Sequence, residues 1–178
     1  LTILGESSLA DCIRVKKIDI PDSVTKIDDM VFNGCIGLEE INLSKNLTKI
    51  GKNTFKDCTS LSTITIPASV TSIGMSPFRS CSKLCSINVE QKSKYFKSVE
   101  DILFNKSKST LICFPACSDK DEYVIPDSVT VISDWAFCEC TKLKSIKIPD
   151  SVYEIGEGAF YRCTSLEEMI LPDSIVRI

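Results

Sequence analysis

The sequence predicts an α/β-type repeat solenoid of stacked rungs, and three observations carry that expectation. Cysteine recurs at Cys12, Cys35, Cys58 and Cys81, each 23 residues after the last, and again at Cys140 and Cys163. Apolar positions move in step: Phe32, Phe55, Phe78, Phe137 and Phe160; Ile18, Ile41, Ile64, Ile87, Ile146 and Met169; Val24, Leu47, Val70, Val129, Val152 and Ile175. Most periods also carry a short apolar–polar alternation closed by proline, at Pro21, Pro67, Pro126, Pro149 and Pro172. Rungs of this kind contact only their neighbours, so residues 1–178 are expected to form a single array whose function lies on a surface.

The first element of a rung is a strand. In Leu38–Leu43, Ile41 and Leu43 fall on one face and Glu40 and Asn42 on the other, the period-2 pattern of a half-buried strand. Proline then ends the ladder, because it has no N–H and a fixed φ. The Asp-Ser pairs that follow, such as Asp127-Ser128 and Asp150-Ser151, suit a tight corner, since their short polar side chains bond nearby backbone. A second short strand reads Val-x-x-Ile, as in Val152 to Ile155, and leads to Gly51, Gly74 or Gly156 at a bend; Asp28 and Ser133 replace that glycine in two rungs. Last comes Gly-x-x-Ala-Phe-x-x-Cys, fullest at Gly156 to Cys163, expected as one irregular or helical turn that carries phenylalanine inward.

The period fails once. Cys81 and Cys140 are 59 residues apart, which places an insertion within residues 91–122. There Asp101–Phe104 and Thr110–Ile112 read as two strands around a polar turn, a hairpin projecting from the solenoid. It is either a recognition element or a spacer that alters curvature. Leu1, Leu4, Gly5, Leu9 and Cys12 already fit the repeat, and Ile178 falls 23 residues after Ile155, so the chain is expected to be a fragment cut mid-rung at both ends.

Composition excludes several functions. A net charge of −3 and the absence of a basic excess disfavour nucleic acid as a partner. No apolar run approaches the roughly 18 residues of a membrane helix, so no membrane insertion is expected of this segment. The chain has no histidine, which removes Ser-His-Asp and Cys-His nucleophiles and leaves catalysis without its commonest general base. Glycines are scattered one per rung, not clustered as a phosphate loop, and carboxylate pairs such as Glu39-Glu40 recur as a solvated face. No enzyme activity and no cofactor are expected.

Ten cysteines invite a disulfide or metal reading. Equivalent Cβ atoms on rungs about 4.8 Å apart point the same way and lie farther apart than the ~3.8 Å of a disulfide. The six ladder cysteines are therefore expected to be reduced and buried. Cys81 with Cys85, Cys113 with Cys117, and Cys138 with Cys140 remain open as local bridges. Zinc is disfavoured, because no paired Cys-x-x-Cys units occur.

The rung pattern Leu-x-x-Ile-x-Ile-Pro-x-Ser-Val-x-x-Ile-Gly-x-x-Ala-Phe-x-x-Cys resembles the BspA-like class of leucine-rich repeats over nearly the whole chain. Ser44 and Glu90 in place of proline, Pro77 in place of alanine and Leu9 in place of phenylalanine are single departures. The resemblance implies a right-handed leucine-rich repeat with its parallel strands on the concave face. It also implies that the variant rung opens its turn with Asp-Gly, here replaced by Asp101-Ile102.

Outward strand positions then give a candidate binding face: Lys16, Lys17, Asp19, Glu39, Glu40, Asn42, Ser62, Thr63, Thr65, Ser86, Asn88, Lys144, Lys147, Glu167 and Glu168. Lys16 and Lys17 adjoin Glu39 and Glu40, and Lys144 adjoins Glu167, so cross-strand pairing competes with binding as the use of these charges. Trp135, the only tryptophan, falls on the opposite side. Asn42-Leu43-Ser44, Asn46-Leu47-Thr48 and Asn105-Lys106-Ser107 fit the glycosylation acceptor pattern. By its family the segment is expected at the cell surface or secreted, as an adhesin-like module for a protein or glycan ligand of host or matrix, taken by the concave face or the inserted hairpin. A cytoplasmic interaction scaffold and a spacer without a ligand are the alternatives.

Overall fold

The computed structural model describes residues 1–178, and all of its regular structure is β. Seven front strands, one per turn, run Lys17–Asp19, Glu40–Asn42, Thr63–Ile66, Ser86–Val89, Glu122–Val124, Ser145–Lys147 and Glu168–Ile170. They pair in parallel in three groups, interrupted between Asn42 and Thr63 and again after Val89. Shorter second strands make two more parallel groups, Ile3–Leu4 through Ser72–Ile73, and Thr110–Cys113 through Glu154–Ile155.

No helix forms, which corrects the helical-turn and α/β expectation. The reason is the backbone at two points per turn. Met30, Asn53, Ser76, Trp135 and Gly158, each two residues before the phenylalanine, have φ between 52° and 59°. Gly34, Asp57, Ser80, Glu139 and Arg162, each just before the cysteine, have φ between 56° and 73°. Left-handed residues four apart cannot belong to a right-handed helix. In exchange, alternate N–H groups reach the next turn: Met30 donates to the Lys52 carbonyl (2.9 Å), Phe32 to Thr54 (2.9 Å) and Gly34 to Lys56 (2.8 Å). Within the turn, Asn33 N–H donates to Met30 O and Cys35 N–H to Phe32 O.

Phenylalanines stack along the axis behind this ladder. Phe32 to Phe55 is 5.4 Å and Phe55 to Phe78 is 5.5 Å between ring centroids; Phe114, Phe137 and Phe160 form a second stack at 5.0 Å. Phe114 and Cys117 stand 23 residues before Phe137 and Cys140, so the variant turn regains the repeat at a Phe-x-x-Cys that the sequence reading passes over. Gly51 is required by the stacking itself, because a Cβ there would fall on the backbone of Asp28 and Asp29. Ser133 is tolerated where the preceding turn is two residues shorter, Thr110 pairing with Val131 at an offset of 21.

The inserted segment does not project. Phe96–Val99, Ile102–Asn105 and Thr110–Cys113 form an antiparallel meander, with one strand more than the expected hairpin. Ile102, Leu103 and Phe104 are all buried; Leu103 faces the core of the first four turns, while Ile102 and Phe104 face the core of the last three. The middle strand is a septum between two cores. Its turn is Glu100-Asp101, with φ of 50° and 67°, one residue earlier than expected, and Ile102 already lies in the strand. Two positive φ values in a two-residue loop match the twist of the flanking strands.

The six ladder cysteines are free, with Cys35, Cys58, Cys81 and Cys140 buried and Cys12 and Cys163 half-buried. Each thiol from Cys35 to Cys81 donates to a carbonyl of the preceding turn, Cys35 to Leu9 (3.2 Å), Cys58 to Phe32 (3.1 Å) and Cys81 to Phe55 (3.0 Å); Cys163 does the same to Phe137 (3.1 Å). None of the three local bridges forms. Cys85 instead pairs with Cys117, 32 residues on, with Cα atoms 4.6 Å apart.

Because each ring is shared by two neighbours, Phe55→Ala is expected to lower unfolding free energy by about 3–5 kcal/mol, and a denaturation midpoint equal to wild type would contradict the stacked core. Thiol titration of the unfolded chain should give eight groups before reduction and ten after, as eight cysteines are free and two are bridged. Burial pushes the thiols of Cys35, Cys58, Cys81 and Cys138 up, and that of Cys113 to about 12. The folded thiols stay protonated above about pH 8.5, where unfolded thiols ionise, so unfolding releases protons there. Stability should hold below about pH 8.5 and fall as pH rises beyond it, by about 1.4 kcal/mol per unit for each of the enclosed thiols of Cys58, Cys81 and Cys113; a melting temperature flat to about pH 11 would contradict this.

Candidate binding face

Strand alternation puts Lys16, Lys17, Asp19, Glu39, Glu40, Asn42, Ser62, Thr63, Thr65, Asn88, Lys144, Lys147, Glu167 and Glu168 in solvent, and leaves Ser86 half-buried. Constant register decides what each meets. Lys17 stands opposite Glu40 and Asp19 opposite Asn42. Lys16 Nζ lies 3.2 Å from Glu39 Oε1, and Lys17 Nζ 2.7 Å from Glu40 Oε1. Asn42 Nδ2 donates to Asp19 Oδ1 (2.6 Å) and to Glu40 Oε1 (3.1 Å). The hydrogen bond from Lys17, with that from Asn42, holds the Glu40 carboxyl below its ordinary range, and Glu40 in turn raises the Lys17 ammonium. Lys45 does the same to Asp22 at the adjoining corner, 2.5 Å away. The first two turns thus pair both of their outward lysines with their glutamates.

In the middle of the face the outward strand side chains, Ser62, Thr63, Thr65, Ser86 and Asn88, are uncharged. Ser86 Oγ donates to Asp101 Oδ1 (2.6 Å) and receives Asn88 Nδ2 (3.1 Å), while Ile87 N–H donates to the Asp101 carbonyl (3.1 Å). The Glu100-Asp101 turn therefore docks beside the strand Ser86–Val89. Lys120 pairs with Glu100 at 2.8 Å, and the Cys85–Cys117 bridge lies next to it.

Over the last three turns the pairing differs from the sequence expectation. Lys144 Nζ meets Asp121 Oδ2 at 3.4 Å in the preceding turn, whereas Glu167 only donates its N–H to the Lys144 carbonyl. The outward residues of Glu122–Val124 join the face although the sequence reading leaves that strand out; Tyr123-Val124-Ile125-Pro126 repeats Ile146-Lys147-Ile148-Pro149 and was the available signal. A groove of about 460 Å³ opens there, between Glu122, Val124, Lys147, Asp150, Glu168 and Ile170.

On the opposite side Trp135 is not a free platform. The Arg79 guanidinium sits 3.3 Å from its ring centroid, Tyr161 meets its edge at 5.2 Å, and Gly158 lies so close beneath that a Cβ would be 3.0 Å from ring carbons. Of the acceptor asparagines, Asn105 is tied into the inserted meander by bonds to Ser109 and Thr110, and Asn46 Nδ2 donates to the Asp22 carbonyl. No helix is long and apolar enough to cross a membrane.

Comparison with known proteins agrees with this architecture. The BspA type leucine rich repeat region matches in six copies, over residues 2–116 and 110–178. Among solved structures the chain is similar to the pneumococcal vaccine antigen PcpA, with TM-score 0.88 and 28% identity over 91% of this chain and 40% of that one. It is similar to a leucine-rich repeat protein from Eubacterium ventriosum, with TM-score 0.85 and 26% identity over 99% of this chain and 53% of that one. A leucine rich cell surface protein from Faecalibacterium prausnitzii aligns with TM-score 0.79 and 27% identity, over 100% of this chain and 59% of that one. The chain thus spans between 40% and 59% of the length of these proteins. No curated protein sequence matches it. With the 23-residue register, the phenylalanine stack and the repeat profile all describing the same turn, the chain belongs to the BspA-type leucine-rich repeat family.

Proposed function

We propose that this chain is a non-catalytic, adhesin-like segment of a cell-surface protein that binds a protein or glycan through the outward face of its front strands. The Cys85–Cys117 bridge carries the reading. It borders that face, and disulfides persist in oxidising compartments while cytosolic thiol buffers remove them. Support comes also from the Faecalibacterium prausnitzii neighbour, itself a cell surface protein. The eight remaining thiols would suit a cytoplasmic scaffold, but the bridge gives that alternative a cost it does not have in a fully reduced chain. Front-face polar side chains stand on strands that are each paired in register with a neighbouring turn, so a ligand meets a surface ordered in advance.

Exchanging the charges of two turns tests this without breaking their pairing. The quadruple variant Lys16→Glu, Lys17→Glu, Glu39→Lys and Glu40→Lys keeps every cross-strand ion pair and should melt as wild type does. Its binding to host cells or matrix should weaken by roughly tenfold, which is about 1.4 kcal/mol. Undiminished binding would remove the front face of the first two turns from the proposal, and a wild-type chain that binds neither cells nor matrix would favour the spacer.

A further inference from the structure

The last three turns leave apolar and acidic groups on the front face that nothing in the chain uses. Register places Val124, Lys147 and Ile170 in one outward row, and Val124 and Ile170 are 65% and 70% exposed. Beside them lies the row Glu122, Ser145 and Glu168. Buried Ile146 and Ile148 lie beneath the groove, and Asp150 closes its other side. No Lys or Arg nitrogen comes within 4.0 Å of the carboxylates of Glu122, Asp150 or Glu168, whereas Glu39, Glu40 and Asp22 on the first turns each have a lysine.

We propose that this groove docks an extended protein segment that carries lysine or arginine together with apolar side chains. The inference rests on the reading of the front face as a binding surface and adds to it a second contact, on the last three turns, with the chemistry of what that contact takes. Exposed branched aliphatics lining a groove gain by covering apolar side chains, which a sugar does not offer. Glu122 and Asp150, each with a turn on both sides and no cation beside it, against the single ammonium of Lys147 set the sign of the partner's charge. Glu122 and Glu168 stand two turns apart, on the order of 10 Å, which about three residues of extended chain span. Lys147 contributes its aliphatic stem to the apolar row while its ammonium reaches solvent.

Fluorescence anisotropy with a labelled peptide of alternating lysine and leucine tests this on the whole chain, with alternating glutamate–leucine and lysine–serine peptides as comparisons. The lysine–leucine peptide should bind about tenfold tighter than either comparison. Val124→Ser with Ile170→Ser, and separately Glu122→Gln with Glu168→Gln, should each weaken it by about tenfold, while Glu39→Gln with Glu40→Gln leaves it unchanged. All six positions are exposed, and equal melting temperatures would show that the fold is kept. Equal binding of the lysine–leucine and glutamate–leucine peptides, or equal loss in the Glu39/Glu40 variant, overturns the groove. That result leaves the front-face reading to stand or fall on the charge-exchange variant, which does not touch the groove.

Discussion

Hydrogen bonding in this chain runs along the stack. Outside the tight corners, each turn finds its backbone partners on the turn before or after it, as when Thr48 donates to Thr25 O and Thr71 to Thr48 O. Even the ladder thiols of Cys35, Cys58, Cys81, Cys140 and Cys163 follow the rule, each offering its proton to a carbonyl 26 residues earlier. A buried N–H without a partner is costly, so register cannot drift by one residue without stranding a whole turn. The 23-residue period is the visible trace of that constraint. It also explains why non-glycine residues accept left-handed φ at Met30, Asn53 and Asp57: the strain is local, and the donors it turns outward are satisfied by the neighbouring turn.

An insertion into such an array must replace the bonds that it removes. The second strand Ser72–Ile73 has no strand other than Lys49–Ile50 within 8 Å, Cα to Cα, so its ladder stops there. Continuity is restored by other means. Strand Ile102–Asn105 seals the two cores with opposite faces, Cys85 and Cys117 join the front edges of the turns on either side, and Arg79 reaches across to cover Trp135. A covalent bond, a cation on an aromatic ring and a two-sided apolar strand join the hydrogen bonds that still cross the seam, Cys117 N–H to the Leu84 carbonyl (3.0 Å) and Ile87 N–H to the Asp101 carbonyl (3.1 Å). The lone tryptophan and the one bridge of the chain belong to the same seam.

What was legible in the sequence is what register repeats. Phe, Cys, Ile and Pro each have one position per turn, so counting recovers the turns, the free thiol ladder and the Lys16–Glu39 and Lys17–Glu40 pairs. Features set by a neighbouring turn were hidden. The Ala-Phe-x-x-Cys spacing has a helical look, but the left-handed residues around it answer to donors and acceptors 22 residues away. Glu100-Asp101 hides a left-handed turn because neither residue is glycine, and Asp101 is held there by Ser86. Cys117 occupies a ladder position, yet the insertion displaces the turn before it so that Cys85, not Cys81, comes opposite. The Lys144–Asp121 pair obeys the 23-residue offset, but Asp121 lies where the period was broken.

Constant register has a last consequence for the surface. Within each paired group an outward side chain meets the equivalent position of the neighbouring turn, so whether a turn exposes usable charge depends on what stands 23 residues away. Lysine above glutamate closes the first two turns on themselves, and a ligand that takes either charge must first displace its partner. Glu122, Ser145 and Glu168 form a column in which two acids are separated by a hydroxyl, and Val124, Lys147 and Ile170 one in which a single cation stands between two aliphatics. Neither column can neutralise itself by cross-strand pairing. A ligand there displaces water alone, so one substitution in one turn is enough to turn a self-satisfied face into an available one while the core beneath it is unchanged.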